Sequence, residues 1–182
     1  MAGDEGGVDS LRGRLLVAAP SLFDPNFRRT VVLVVEHSDD GAAGLVLNRP
    51  SETRVAEAVP ELEPIEDGDE LVYVGGPVEP AAVVVLAELD DPDDATMNVL
   101  GDIGFVSVES RLESMRRRRV FAGYAGWGGG QLEGELERED WLVEEAVPDD
   151  VFADGDLWGE VLRRKGGIFE LIARMPLDPS MN

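Results

Sequence analysis

Three short stretches carry the residue types from which a site could be built. Glu36–His37–Ser38–Asp39–Asp40 holds the chain's single histidine, so any imidazole acid/base chemistry must run through His37. On paper, His37 joins Ser21, Ser38 or Ser107 and one of many carboxylates in a hydrolytic triad. None of these serines stands in a GxSxG elbow, however. One histidine and no cysteine make a poor transition-metal site, although carboxylates can hold a hard cation such as Mg²⁺. The simpler expectation for His37 is a strand-end side chain bonded to a backbone carbonyl.

The second stretch is Asp24–Pro25–Asn26–Phe27–Arg28. Asp24 and Asn26 can bond nearby backbone N–H groups, Pro25 sets φ, and Phe27 can anchor the loop in the core. Arg28 is then presented from a stiff loop, either to a ligand carboxylate or to an internal acid. Asn48–Arg49–Pro50 poses the same choice. The third stretch is Gly126–Trp127–Gly128–Gly129–Gly130, followed by a helix-like segment. A glycine turn at a helix start can cradle an anion, but the lysine and Ser/Thr of GxxxxGK[ST] are missing and Glu133 and Glu135 would repel a phosphate. The favoured expectation is a structural turn in which glycines let Trp127 fold back on the sheet. A ligand pocket assembled from these stretches would use Asp24, Asn26, Arg28, His37, Asn48, Arg49, Gly75, Gly76, Trp127 and Gly128. No residue presents itself as catalytic, and no cofactor or metal is expected.

These residues must be held by short aliphatic runs of strand length. Leu15–Ala19, Val31–Glu36, Ala43–Leu47, Leu71–Val74, Ala81–Leu89, Ile103–Val108, Arg119–Ala125 and Trp141–Glu145 read as strands. Ser38–Gly41 reads as a hairpin turn. Helices are expected over Arg54–Val59, Glu109–Arg117, Gln131–Asp140 and Leu157–Lys165, the last stopped by Gly166–Gly167. The result is an α+β single domain spanning 11–182, preceded by a loose acidic tail over 1–10.

Acidic residues number 38 against 16 basic ones, a formal charge of −22. That field repels a phosphate backbone, so direct nucleic-acid binding is disfavoured. Arg116–Arg119 is the one run of four cations, and it reads as a solvated helix end that complements the C-terminal dipole. No stretch offers 18 consecutive apolar residues, and the first residues lack a basic region followed by an apolar one. The expectation is a cytoplasmic protein with no membrane partner.

In order along the chain, LRGRLLVAAPSLFDPNFRRTVVLVVEHSDDGAAGLVLNRP from Leu11, VYVGGPV over Val72–Val78 and FAGYAGWGGGQLEGELEREDWL over Phe121–Leu142 resemble the YqgE/AlgH family. That resemblance implies a small, highly curved, mostly antiparallel, barrel-like sheet flanked by helices. It also implies a regulatory role in transcription, without a recognised DNA-binding motif. Family members often carry Arg-Gly and then His after the GGP segment, where this chain has Ala81–Leu86. Two functions follow as expectations. One is a non-enzymatic regulatory or interaction module acting through a protein partner, and the other is a small-ligand-binding protein or enzyme using the pocket above.

Overall fold

In the computed structural model, which describes residues 10–62, 69–110 and 113–176, the aliphatic runs pair first with their sequence neighbours. Strands β1 (Arg14–Ala18), β2 (Val31–Ser38) and β3 (Gly41–Val46) form an antiparallel meander. A short strand β4 (Pro50–Arg54) leads into the single turn α1 (Val55–Ala58) and on to β5 (Leu71–Val74) and β6 (Val78–Leu89). Then come β7 (Met97–Leu100), β8 (Ile103–Val106), β9 (Met115–Gly128), α2 (Gln131–Glu137) and β10 (Trp141–Glu145). Helices α3 (Pro148–Val151), α4 (Leu157–Lys165) and α5 (Ile168–Ala173) finish the described chain.

The strands make one ten-stranded sheet in the order β10-β1-β2-β3-β9-β6-β8-β7, with β5 beside β9 and β4 beside β5. The sheet is mostly antiparallel and curls into a half-barrel with five helices, a single α+β domain. Strand β9 makes the curl possible. Residues Met115–Ala122 pair with β6, Ala125–Gly128 pair with β3, and Phe121–Ala122 run parallel to β5. Arg12, just before β1, reaches across to β7 and donates from its guanidinium to the carbonyl of Asn98.

Both faces of the sheet are covered, which explains why β1 and β2 read as continuous aliphatic runs rather than alternating ones. On the concave face Leu15, Leu33, Leu45, Leu86 and Phe121 pack with Trp158, Val161 and Leu162 of α4. The Trp158 indole N–H donates to Ala18 O at 2.8 Å, so this buried ring leaves no polar atom unpaired. On the convex face Leu16, Val32, Val34, Val46 and Trp127 pack with Leu132 of α2 and with Phe27. The rings of Phe27, Trp127 and Trp141 meet at 5.7–6.2 Å, the range of favourable aromatic pairs.

One expected element is overturned. The segment Glu109–Arg117 is not a helix where it is described: Met115–Arg117 already belong to β9, and residues 111–112 lie outside the described residues. The arginine run is therefore mid-strand and not a helix end. Its register places Arg117 opposite Glu88 and Arg118 opposite Ala87 of β6, and ladder hydrogen bonds with cross-strand ion pairs outweigh the helical spacing of Leu112 and Met115. The tail over 1–10 lies outside the described residues apart from Ser10, as do residues 63–68 of the acidic loop. Strands β4 and β7 and helices α3 and α5 were not anticipated, because each is short and weakly patterned. Among the described residues no helix is long and apolar enough to cross a membrane.

Backbone crossing beside β9 constrains the fold most tightly. A Cβ placed on Gly76 would lie 2.1 Å from the carbonyl carbon of Tyr124, a distance no side chain tolerates. Gly76→Ala is expected to lower unfolding free energy by about 2–4 kcal/mol. Gly134→Ala, inside α2 with only the Arg138 guanidinium at 3.8 Å, is expected to raise it by about 0.5–1 kcal/mol. Urea denaturation of both variants checks the pair.

Candidate functional site

A β-bulge at Val35 decides what His37 can do. Register shifts between Val34 and Glu36, so Val35 and Glu36 both serve the concave side while His37 pairs with Ala42, itself opposite Trp127, on the convex side. The His37 side chain is 1% exposed. Its Nδ1 accepts the Leu11 backbone N–H at 3.0 Å, and its Nε2 lies 2.7 Å from Glu133 Oε1. An accepting Nδ1 leaves the proton on Nε2, which donates to the carboxylate. The partners are thus a backbone N–H and a glutamate, not the expected backbone carbonyl. The Glu133 carboxyl is held below its ordinary range chiefly by this hydrogen bond, with a backbone N–H assisting and burial opposing.

The glycine turn serves the same contact. Gly130 adopts φ +78°, the left-handed conformation, as the residue that starts α2, and the Gly128 N–H is taken by Gln131 Oε1 at 3.0 Å. Trp127 stays inside β9, 6% exposed. The turn launches α2 so that Glu133 reaches His37.

The Asp24–Arg28 loop is bonded within itself and to the end of β3. Asp24 Oδ1 accepts the Asn26 N–H at 2.8 Å. The Asn48 side chain bridges Arg29 O and the Val31 N–H at 2.9 and 3.0 Å, and Arg49 donates to Arg28 O at 2.7 Å and Pro25 O at 3.2 Å. Arg28 lies over the Phe23 ring, 5.5 Å from its centroid. Gly75 sits near this latch, its carbonyl accepting the Val46 N–H, and Gly76 is at the β9 crossing. Of the ten sequence-nominated residues, Asn48, Arg49, Gly75, Gly76 and the 24–28 loop gather at one end of β3. His37, Trp127 and Gly128 gather at the other.

Only His37 and Trp127 of that set line the large cavity, which measures 930 Å³. It opens on the concave side at the mouth of the half-barrel, away from α3–α5, which fill the rest of that face. Its floor is apolar, with Val35, Ala43, Leu45, Val84, Phe105 and Tyr124, and its rim carries Arg12, Glu36, Ser38 and Asp40. Sequence reasoning missed most of these. Ala43 and Leu45 alternate along β3, the one available signal; Val84, Phe105 and Tyr124 come from three distant strands that only the curl unites.

The arginine run is spent internally. Arg116 pairs with Glu88, Asp90 and Asp102, Arg117 with Glu88 and Asp149, and Arg119 with Asp154. Arg118 bonds Glu70 through two nitrogens, its side chain 5% exposed. Among the described residues, no group of three or more His, Asp or Glu is placed to hold a metal ion.

This curled sheet has counterparts. The model of a family described as AlgH-like matches residues 15–170. The chain belongs to the AlgH-like family. A UPF0301 protein of Mycobacteroides abscessus is 43% identical over 93% of this chain and 87% of its own length. One of Mycobacterium tuberculosis is 41% identical over 93% and 90%. A Corynebacterium diphtheriae crystal structure superimposes with TM-score 0.83 at 32% identity, covering 91% of this chain and 93% of that one. The solution structure of AlgH from Pseudomonas aeruginosa gives TM-score 0.70 at 30% identity, covering 93% and 97%. The AlgH-like half-barrel is the frame on which the mouth and the His37–Glu133 contact are built.

A group whose folded pKa is depressed stabilises the fold above its unfolded value and loses that contribution as pH falls through the folded one. The Glu133 contribution is therefore expected to be complete above about pH 4.5 and to fade below it. Glu133→Gln should flatten that acid limb. Thermal unfolding of parent and variant from pH 7 down to pH 3 reads the difference.

Proposed function

We propose that the protein is a non-enzymatic binding module whose small ligand enters the mouth of the half-barrel. The observation that carries this reading is the 930 Å³ cavity with an apolar floor and a polar rim. Its size falls in the range of small-molecule pockets, and barrel mouths are a recurrent place for them. His37 is not free for acid/base work: both its ring nitrogens are bonded, and its ring is buried on the opposite side of the sheet from the floor.

Ala43 lies on the floor, so Ala43→Leu fills the mouth without touching α4 or the aromatic cluster. A thermal-shift screen of metabolites should find compounds that stabilise the parent, by about 2.7 kcal/mol at 100 times Kd, and fail to stabilise Ala43→Leu. Compounds that protect both proteins equally would place the ligand elsewhere and sink the reading.

A second reading, a cytoplasmic regulatory role exercised through a protein partner, is favoured by α5. Ile168 and Leu171 are 67% and 66% exposed and Met175 is 48% exposed, at a spacing that puts them along one side. Regulation of transcription would then act through that partner, since Arg116–Arg119 are paired with acids. Cross-linking in cell extract should trap a stoichiometric protein with the parent and lose it with Leu171→Asp. Identical products from both would remove this reading.

A further inference from the structure

The mouth also indicates what its ligand carries. Nearly every cation of the described chain is committed to a partner inside the protein. Arg12, the one cation among the described rim residues, donates to the carbonyl of Asn98 and keeps its charge, so the rim sets one positive charge against the two carboxylates of Glu36 and Asp40. The rim acids are not committed in the same way. Among the described residues, the carboxylates of Glu36 and Asp40 and the hydroxyl of Tyr124 have no hydrogen-bond or ion-pair partner. Glu36 owes its place to the Val35 bulge, which turns it to the cavity side, and Asp40 sits in the β2–β3 turn just above the floor.

Beneath these carboxylates lie the partly exposed rings of Phe105 and Tyr124 among Val35, Ala43, Leu45 and Val84. Carboxylates at the lip of an apolar concavity focus negative potential into it, because the low-dielectric walls screen poorly. The chain's net charge of −22 adds to that field. Aromatic faces attract a desolvated cation as well. An anionic ligand would meet net repulsion at the rim, and a neutral one would draw no attraction from either carboxylate.

Resting on the reading of the mouth as the ligand pocket, we infer that it selects a small organic cation: an ammonium head held between Glu36 and Asp40, with an apolar body against Phe105 and Tyr124. The head charge and the body are thus read by different residues.

Three probes with one body and different heads separate the two contributions: phenylpropylamine, phenylpropanol and phenylpropionate, titrated calorimetrically into the full chain at low and physiological salt. The amine is expected to bind about tenfold or more tighter than the alcohol, with the carboxylate weakest and the preference shrinking as salt rises. In the double variant Glu36→Gln/Asp40→Asn the amine should fall to the affinity of the alcohol, while the alcohol is unchanged. Equal binding of amine and alcohol to the parent, or an amine preference that survives the double variant, overturns the cation assignment. If the alcohol binds and Ala43→Leu weakens it in that case, the pocket reading still stands. Binding of any probe that is indifferent to Ala43→Leu overturns the pocket itself, and no binding of the amine at millimolar concentration overturns the cation assignment.

Discussion

The fold depends on a single strand hydrogen-bonding to three others. β9 pairs with β6 along its first half, with β3 along its last four residues, and with β5 in parallel where the two halves join. A strand of fourteen residues cannot stay flat through such a change of partners, and the natural right-handed twist carries it into a curl. Backbone contact at the crossing sets the curvature. Gly75 and Gly76 lie against the carbonyls of Gly123 and Tyr124 at distances that exclude any Cβ. Without that approach β5 could not join the sheet, and β3 and β6 would not face each other across a cavity.

The curl creates two environments of unequal use. The convex side is finished: α2, the 20–27 loop and the rings of Phe27, Trp127 and Trp141 cover its β1–β3 part, and Val55 of α1 with Val59 and Leu62 covers Val85, Ala87 and Val120 of β6 and β9. The concave side is filled by α3–α5 at one end and open at the other. Polar chemistry follows the same division. On the convex side His37 and Glu133 satisfy each other and tether the Leu11 backbone, while at the open mouth the carboxylates of Glu36 and Asp40 have no partner among the described residues. A bulge of one residue at Val35 separates these fates. Without it the strand would present one fewer residue to the cavity side.

Charge is handled by pairing. The four consecutive arginines lie inside a strand whose register shifts at Arg116, and they meet acids from β6, from just before β5, from α3 and from the loop after it. Two are also stacked, Arg117 over Phe152 at 4.4 Å and Arg119 over Tyr73 at 4.0 Å. The Tyr73 hydroxyl is pushed above its ordinary range, chiefly by burial, with Arg119 opposing. Such stacking favours arginine over lysine, because the planar guanidinium keeps its hydrogen bonds in the ring plane while its face covers an aromatic.

Much of this was present in local sequence. The identity of most strands and of α1, α2 and α4, the hairpin at Ser38–Gly41, the self-bonded Asp24–Asn26 loop and the Phe27 anchor follow from side-chain branching, proline geometry and short-range hydrogen bonding, which act over a few residues. The family motifs carried the curled sheet. What local sequence could not determine was which side chains share a face after the bulge, which acid meets His37, and whether Arg116–Arg119 end a helix or ride a strand. Glu133 is 96 positions from His37, and Glu88 is 29 from Arg117. Partners so distant are chosen by strand register and backbone crossing, and these exist only once the whole sheet has closed around its core.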